Sequence, residues 1–288
     1  MVAVKFRNQG YAFIPRLLDA EDTRCFRNAI QNLSRLGDAD YEAKTFACPD
    51  GVSLNREFWP LIWNAKLLDT IRSIIGPLPR YTRHSDIHAH RTGGWHRDSA
   101  CREFQSGPDW DESRDPYQVI RVAIYLQSFA ESGSMLGVLP GSHRFEERLS
   151  PREVAYWRKR SQLWHACGGG TIDAGLPEPP IIRTRRGGIP YLSPPTEPIW
   201  IKTEPGDCII FDQRLYHSAC PIHGPKYAIF LSYSPENEHC RNHLRYYLHF
   251  RKDLKYGPLD SELESELKSR SLFVEVPEPQ AEAAFTRV

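Results

Sequence analysis

The residues best suited to chemistry lie in the stretch Gly93-Gly94-Trp95-His96-Arg97-Asp98. A histidine and an aspartate two residues apart on an extended segment project to the same side, because side chains alternate along a strand. One imidazole and one carboxylate converging on a point make two thirds of a two-histidine, one-carboxylate metal site. That geometry holds non-haem Fe(II) and leaves positions open for O2 and a co-substrate. The remaining ligand must come from far downstream, on another strand. His217 is the candidate, because it lies beyond a Pro205-Gly206-Asp207 turn and a buried Cys208-Ile209-Ile210-Phe211 strand. A lone His-x-Asp arises by chance in many chains. Here its weight comes from the two glycines and Trp95 before it, the long polar loop after it and the distal histidine.

Strands must hold these side chains, and the pattern supplies them. Residues 80–90 read as a strand carrying His84, His88 and His90 on one face. His96 and Asp98 are the better ligand pair, so the three histidines are read as scaffold, with one available to support the metal or touch substrate. A polar loop, 99–116, follows. Residues 117–127 form a strong strand with Val119, Arg121, Ala123 and Tyr125 on one face. An arginine in an apolar strand needs a partner. Further strands are expected at 136–139, 199–204, 208–211 and 227–233. Towards the N-terminus, 5–14 reads as a short strand entered through a glycine turn, 20–36 as an amphipathic helix and 58–75 as a second helix stopped by Gly76-Pro77. Residues 38–56 look irregular. Residues 151–165 look helical and 166–198 are rich in Gly and Pro, so 151–198 reads as an insertion capping a barrel mouth. Its Cys167-Gly168-Gly169-Gly170 run lacks the phosphate-loop pattern. In the charged tail, Leu259, Leu263, Leu267 and Leu272 mark a helix, and 274–288 reads as loose.

Bulk properties exclude several classes. The chain has 288 residues, with 37 basic against 36 acidic side chains, so no overall field draws it to nucleic acid or an anionic membrane. No apolar run is long enough to span a bilayer. The N-terminus lacks the apolar core of a secretion signal. The seven cysteines are scattered with no CxxC pair, which points away from a disulfide framework or zinc knuckle and towards the cytoplasm.

Several of these segments together resemble a known family. Trp95-His96-Arg97-Asp98, Leu139-Pro140-Gly141-Ser142-His143, and Pro205-Gly206-Asp207 through His217 look like the phytanoyl-CoA dioxygenase family of Fe(II)/2-oxoglutarate oxygenases. The opening Gly10-Tyr11-Ala12-Phe13-Ile14 is similar as well, and the resemblance runs from about residue 8 to 250. It implies a mainly β fold with flanking helices and a double-stranded β-helix (jelly-roll, cupin-like) core. The expected organisation is a single domain over 1–288, with helices at about 15–76, the core at about 80–250 and a helical tail at about 241–288. It implies iron held by His96, Asp98 and His217. The expected activity is oxidation of a small molecule, with hydroxylation the expected outcome, while 2-oxoglutarate and O2 become succinate and CO2.

One departure stands out. The family places an arginine about ten residues after the distal histidine, to pair with the far carboxylate of 2-oxoglutarate. Here Lys226 stands at that position, and a lysine cannot make the bidentate fork of an arginine. Arg121 is an equal rival for the role, unless it serves a buried structural ion pair. Gln127 and Tyr125 either face the co-substrate or fill the barrel. Two other readings fit the same barrel: a cupin-like metalloenzyme that does not use 2-oxoglutarate, and a non-catalytic binding protein. Trp95 is expected to pack beneath the metal strand and His143 to be structural. The substrate is not legible. A tailoring step of secondary metabolism is the expectation.

Overall fold

The computed structural model describes residues 2–100, 107–147, 150–152, 154–155, 159, 181–184, 187–190 and 197–275. The strands among them are β1 (Tyr11–Ile14), β2 (Phe46–Cys48), β3 (Pro79–Tyr81), β4 (Ile87–Ala89), β5 (Ile120–Tyr125), β6 (Met135–Val138), β7 (Ile181–Thr184), β8 (Gly187–Pro190), β9 (Ile199–Lys202), β10 (Cys208–Asp212), β11 (His217–Ala219) and β12 (Tyr227–Pro235). A seven-stranded antiparallel sheet runs in the order β1-β10-β5-β12-β4-β2, with β3 on β12. A three-stranded sheet runs β11-β6-β9, and β7 and β8 form a hairpin.

Strand alternation sorts the core into two halves. Ile120, Val122 and Ile124 of β5, Cys208 and Ile210 of β10, and Ile229 and Leu231 of β12 turn to one side of the large sheet. There they meet the helices Ala20–Ser34 and Ala65–Ile75, whose Ile30, Leu67 and Ile71 are wholly buried. Ala123, Tyr125, Ile209, Phe211 and Ala228 turn to the other side, against Leu136 and Val138 of β6. The result is the expected jelly roll, two facing antiparallel sheets with helices against the outer face of the larger one. Each long helix is capped by its own sequence. The Asp19 carboxylate accepts from Asp22 N at 2.8 Å, and the Asn64 side chain accepts from Leu67 N at 3.0 Å.

The structure departs from the sequence reading in several places. Val2–Gln9 is helical, not the first half of a strand. It ends at Gly10, which sits at φ +83° where an added Cβ would come within 2.5 Å of His143 Nδ1. The second helix is broken, with Trp59–Ile62 separated from Ala65–Ile75 by the Asn64 cap. Residues 80–90 are not one strand. β3 and β4 are separated by an irregular stretch that contains Arg83 at φ 58°, and His90, just after β4, sits at φ 57°. Arg83 is pinned there by a buried ion pair with Asp50. Finally, the irregular 38–56 segment contains β2, and a helix at Glu238–Arg245 running into a π-type turn, Tyr246–Phe250, precedes the expected tail helix at Ser261–Ser269. Leu263, Leu267 and Leu272 of the tail are buried as their spacing predicts. Val274, read as loose, packs against Cys240 and Leu244. The rest of the tail and most of 151–198 lie outside the described residues. Among the described residues, no helix is long and apolar enough to cross a membrane.

Candidate metal centre and co-substrate pocket

His96 and His217 face each other across a two-residue antiparallel bridge. Each backbone N–H donates to the other residue's carbonyl, at 2.9 and 3.0 Å. Directly opposed residues in such a pair present their side chains on the same face, and the two imidazole centroids are 4.3 Å apart. Asp98 is fixed by its own backbone N–H, which donates to Gln213 O at 2.8 Å. His96 Nδ1 lies 2.6 Å from Gly94 O, and His217 Nδ1 lies 2.9 Å from Leu215 O. A carbonyl can only accept, so both Nδ1 atoms carry the proton and both Nε2 atoms keep a lone pair. Those lone pairs converge on the carboxylate: His96 Nε2 is 3.4 Å from Asp98 Oδ1, and His217 Nε2 is 3.6 Å from Asp98 Oδ2. One ligand atom from each residue lies within 4.8 Å of the others.

The protonation states suit a cation. Burial, reinforced by His96, pushes the His217 pKa down to about 4, which keeps the ring neutral and able to ligate. Burial works against ionisation of Asp98. Its neighbours, the Arg121 guanidinium among them, outweigh it and hold the carboxyl well below its ordinary range. Two imidazoles and one carboxylate on one side of a point, with both Nδ1 atoms tied to backbone carbonyls, fit a facially ligated iron.

Residues 6–229 match the phytanoyl-CoA dioxygenase family. The chain belongs to that family. This phytanoyl-CoA dioxygenase family protein is an oxidoreductase that depends on iron and 2-oxoglutarate. No curated protein sequence matches it. Its fold is similar to that of SnoN, an α-ketoglutarate-dependent epimerase from nogalamycin biosynthesis, at 13% identity over 81% of this chain and 82% of that one, with a TM-score of 0.54. HygX from Streptomyces hygroscopicus, with nickel and 2-oxoglutarate bound, gives 15% identity over 80% and 85%, with a TM-score of 0.52. EctD from S. alaskensis, with bound Fe, gives 17% identity over 81% and 75%, with a TM-score of 0.50. At these identities the likeness is one of fold.

The trio opens onto a cavity of about 320 Å³ whose walls include His88, Arg121, Tyr125, Lys226 and Phe230. The two basic rivals stand differently in it. Arg121 is buried and committed to the protein: Nη2 donates to Asp86 Oδ2 at 2.6 Å, Nη1 donates to His84 O at 2.6 Å, and Nε lies 3.6 Å from Asp98 Oδ2. Burial disfavours its charge, but Asp86 and Asp98 more than restore it. Lys226 is buried as well, yet its Nζ reaches only a backbone carbonyl, Arg91 O at 2.7 Å. No carboxylate among the described residues pairs with it. Burial pushes its pKa down to about 8.

The other expected residues divide. Tyr125 lines the cavity, 6.0 Å from Lys226 Nζ measured to the ring centre. Gln127 does not line it. Its Oε1 accepts from Tyr227 N at 2.6 Å, so it serves the sheet edge. Trp95 packs as expected, stacked on Tyr216 with ring centres 5.9 Å apart and against Trp200. His143 Nε2 bonds Arg7 O and plays a structural part. A second cavity, of about 280 Å³, lies by Trp110, Tyr117 and Arg214 and touches none of the trio. Sequence reasoning missed Asp86 as the partner of Arg121. The signal was available, since an arginine on an inward strand face demands a carboxylate nearby. It also missed that Tyr247 and Arg251, from the π-type turn and the residue after it, wall the cavity.

Proposed function

We propose that this protein oxidises a small molecule, most simply by hydroxylation, with iron held by His96, Asp98 and His217 and 2-oxoglutarate anchored by Lys226. The observation that carries this reading is the convergence of two Nε2 lone pairs and one carboxylate on a cavity that also contains a buried ammonium with no acidic partner among the described residues. Lys226 is preferred to Arg121 because the guanidinium already has Asp86 and Asp98. An unpaired buried cation is the complement of a dicarboxylate. Iron supplies O2 activation coupled to decarboxylation of the 2-oxo acid.

The chain's own residues do the rest. Gly94 O and Leu215 O hold the two imidazoles in the ligating tautomer. Arg121 balances the Asp98 charge inside the sandwich. Phe211 and Phe230 help keep the cavity wall apolar, which excludes water from the reacting centre. A single domain over 1–288 is supported by the pairing of β1 with β10, which puts the N-terminal strand in the same sheet as the site. The five described cysteines are free, which supports action in the cytoplasm. The likeness in fold to SnoN, from nogalamycin biosynthesis, supports a tailoring step in secondary metabolism.

Anaerobic addition of Fe(II) and then 2-oxoglutarate tests the reading directly. A visible absorption band that needs both is expected, followed in air by succinate release. Iron binding without a band would remove 2-oxoglutarate from the site, and no iron binding would remove the trio. With a substrate in hand, product mass decides the outcome: one added oxygen for hydroxylation, two lost hydrogens for ring closure, no change for epimerisation.

A further inference from the structure

We propose that His88 is the second half of the carboxylate clamp, so that its imidazole and the Lys226 ammonium together hold the end of 2-oxoglutarate remote from the metal. The proposal rests on the reading of Lys226 given above.

The sheet register places the pair. Ala228 of β12 lies opposite His88 of β4 on one side and opposite Tyr125 of β5 on the other. His88, Ala228 and Tyr125 therefore form one row across three strands, on the face that lines the cavity. Phe230 lies two residues beyond Ala228 on β12 and Lys226 two residues before it, immediately ahead of the strand, and both line the cavity. The His88 ring meets Phe230 with centroids 4.9 Å apart. Diagonal neighbours in a sheet are about 7–8 Å apart at the backbone, within the span of a lysine side chain. The middle of the row is a single methyl group. The space above it is bounded by an imidazole, a phenol and an ammonium.

His88 has no other employment. Its neighbours in sequence are accounted for: His84 stacks on Tyr247 at 4.1 Å, and His90 bonds Gly37 O and accepts from Lys226 N. Among the described residues, neither ring nitrogen of His88 has a hydrogen-bond partner. The ring is half-buried and faces the cavity, so its nitrogens are open to a ligand that accepts a hydrogen bond. Burial, and then the Lys226 charge, push the His88 pKa well below its ordinary value. The ring is therefore neutral and does not repel Lys226, and one of its nitrogens carries a proton to donate. A lysine alone binds a carboxylate as a point charge. An ammonium and an imidazole N–H set at an angle supply the two directed donors that one arginine would provide.

The test uses two ligands of equal chain length. 2-Oxoglutarate carries the distal carboxylate, and 2-oxopentanoate has a methyl group in its place. Affinity of each for the anaerobic Fe(II) protein is read from the visible absorption change, for wild type, His88→Phe and His88→Asn. His88→Phe should weaken 2-oxoglutarate on the order of tenfold and leave 2-oxopentanoate unchanged. His88→Asn, which keeps a donor, should recover part of the loss. Equal weakening of both ligands would overturn the clamp, because His88 would then act on the metal end or on folding. Unchanged 2-oxoglutarate affinity in His88→Phe would overturn it too. Should His88→Phe fail to fold, His88→Ala carries the same comparison. A wild-type protein that binds the two ligands equally would instead refute the Lys226 anchor.

Discussion

Replacing Lys226 with methionine should make the protein more stable and its co-substrate bind more weakly. The side chain is 3% exposed, and its pKa is pushed down from 10.5 to about 8. At pH 7 the folded protein therefore carries a charge that costs on the order of 3 kcal/mol relative to the unfolded chain. The bond from Nζ to Arg91 O returns about 1 kcal/mol of this. A methionine of similar length should thus gain about 2 kcal/mol, a rise of a few degrees in Tm. The pH dependence has a definite sign. Between about 8 and 10.5 the unfolded lysine keeps a proton that the folded one has lost, so wild-type stability rises with pH across that window. The deficit is fully present below about pH 8, and the gap between variant and wild type should close as pH rises towards 10.5. Affinity should move the other way. Loss of a charge-assisted hydrogen bond costs about 1.5–3 kcal/mol, or roughly ten- to over a hundredfold in Kd for 2-oxoglutarate. Thermal unfolding across pH and anaerobic titration of the Fe(II) protein measure the two effects. A variant that loses stability and keeps its affinity would show that Lys226 is structural, and the anchor assignment would be wrong.

His96→Ala, Asp98→Ala and His217→Ala should each abolish stoichiometric Fe(II) binding in an anaerobic titration; full binding by any of them removes that residue from the trio. Arg121→Leu should destabilise the fold by about 3–5 kcal/mol, because Asp86 and Asp98 lose their shared cation, and a Tm within a degree of wild type would show that the buried pair contributes little. Gly10→Ala should cost about 1–3 kcal/mol through its positive φ and the collision with His143. Iron affinity should not change in that variant, since neither residue lines the metal cavity, and a large drop would tie the N-terminal helix to the site.

Much of the site was legible because its chemistry is local in sequence. His96 and Asp98 need only an alternating segment, and His217 needs only a turn and a strand before it. The inward face of β5 could be read from alternation, and Lys226 from its place after the distal histidine. What escaped depended on tertiary contact. Val2, Val4 and Phe6 alternate like a strand, but Phe6 alone of that helix is buried, and Gly10 stops it. The three histidines of 80–90 looked alike only while the segment was read as one strand; positive φ at Arg83, just before the first of them, and at His90 breaks the alternation. His84 stacks on Tyr247, His88 stands on β4 in the cavity wall, and His90 lies against Gly37 O. Arg121 could be recognised as needing a partner, but which carboxylate it meets follows from where the irregular stretch carries Asp86.

The site is assembled across a seam. His217 belongs to the three-stranded sheet, whereas Tyr125, Arg121 and His88 belong to the seven-stranded one, with Lys226 immediately before β12. On the reading proposed above, a ligand gripped at the metal and at Lys226 is a brace between the two leaves. Loading should then slow amide exchange in β6 and β11 more than in the helices behind the large sheet. Turnover removes one carbon from that brace. On that reading succinate, one carbon shorter, should protect β6 and β11 from exchange less than 2-oxoglutarate does, and equal protection by the two would remove the brace.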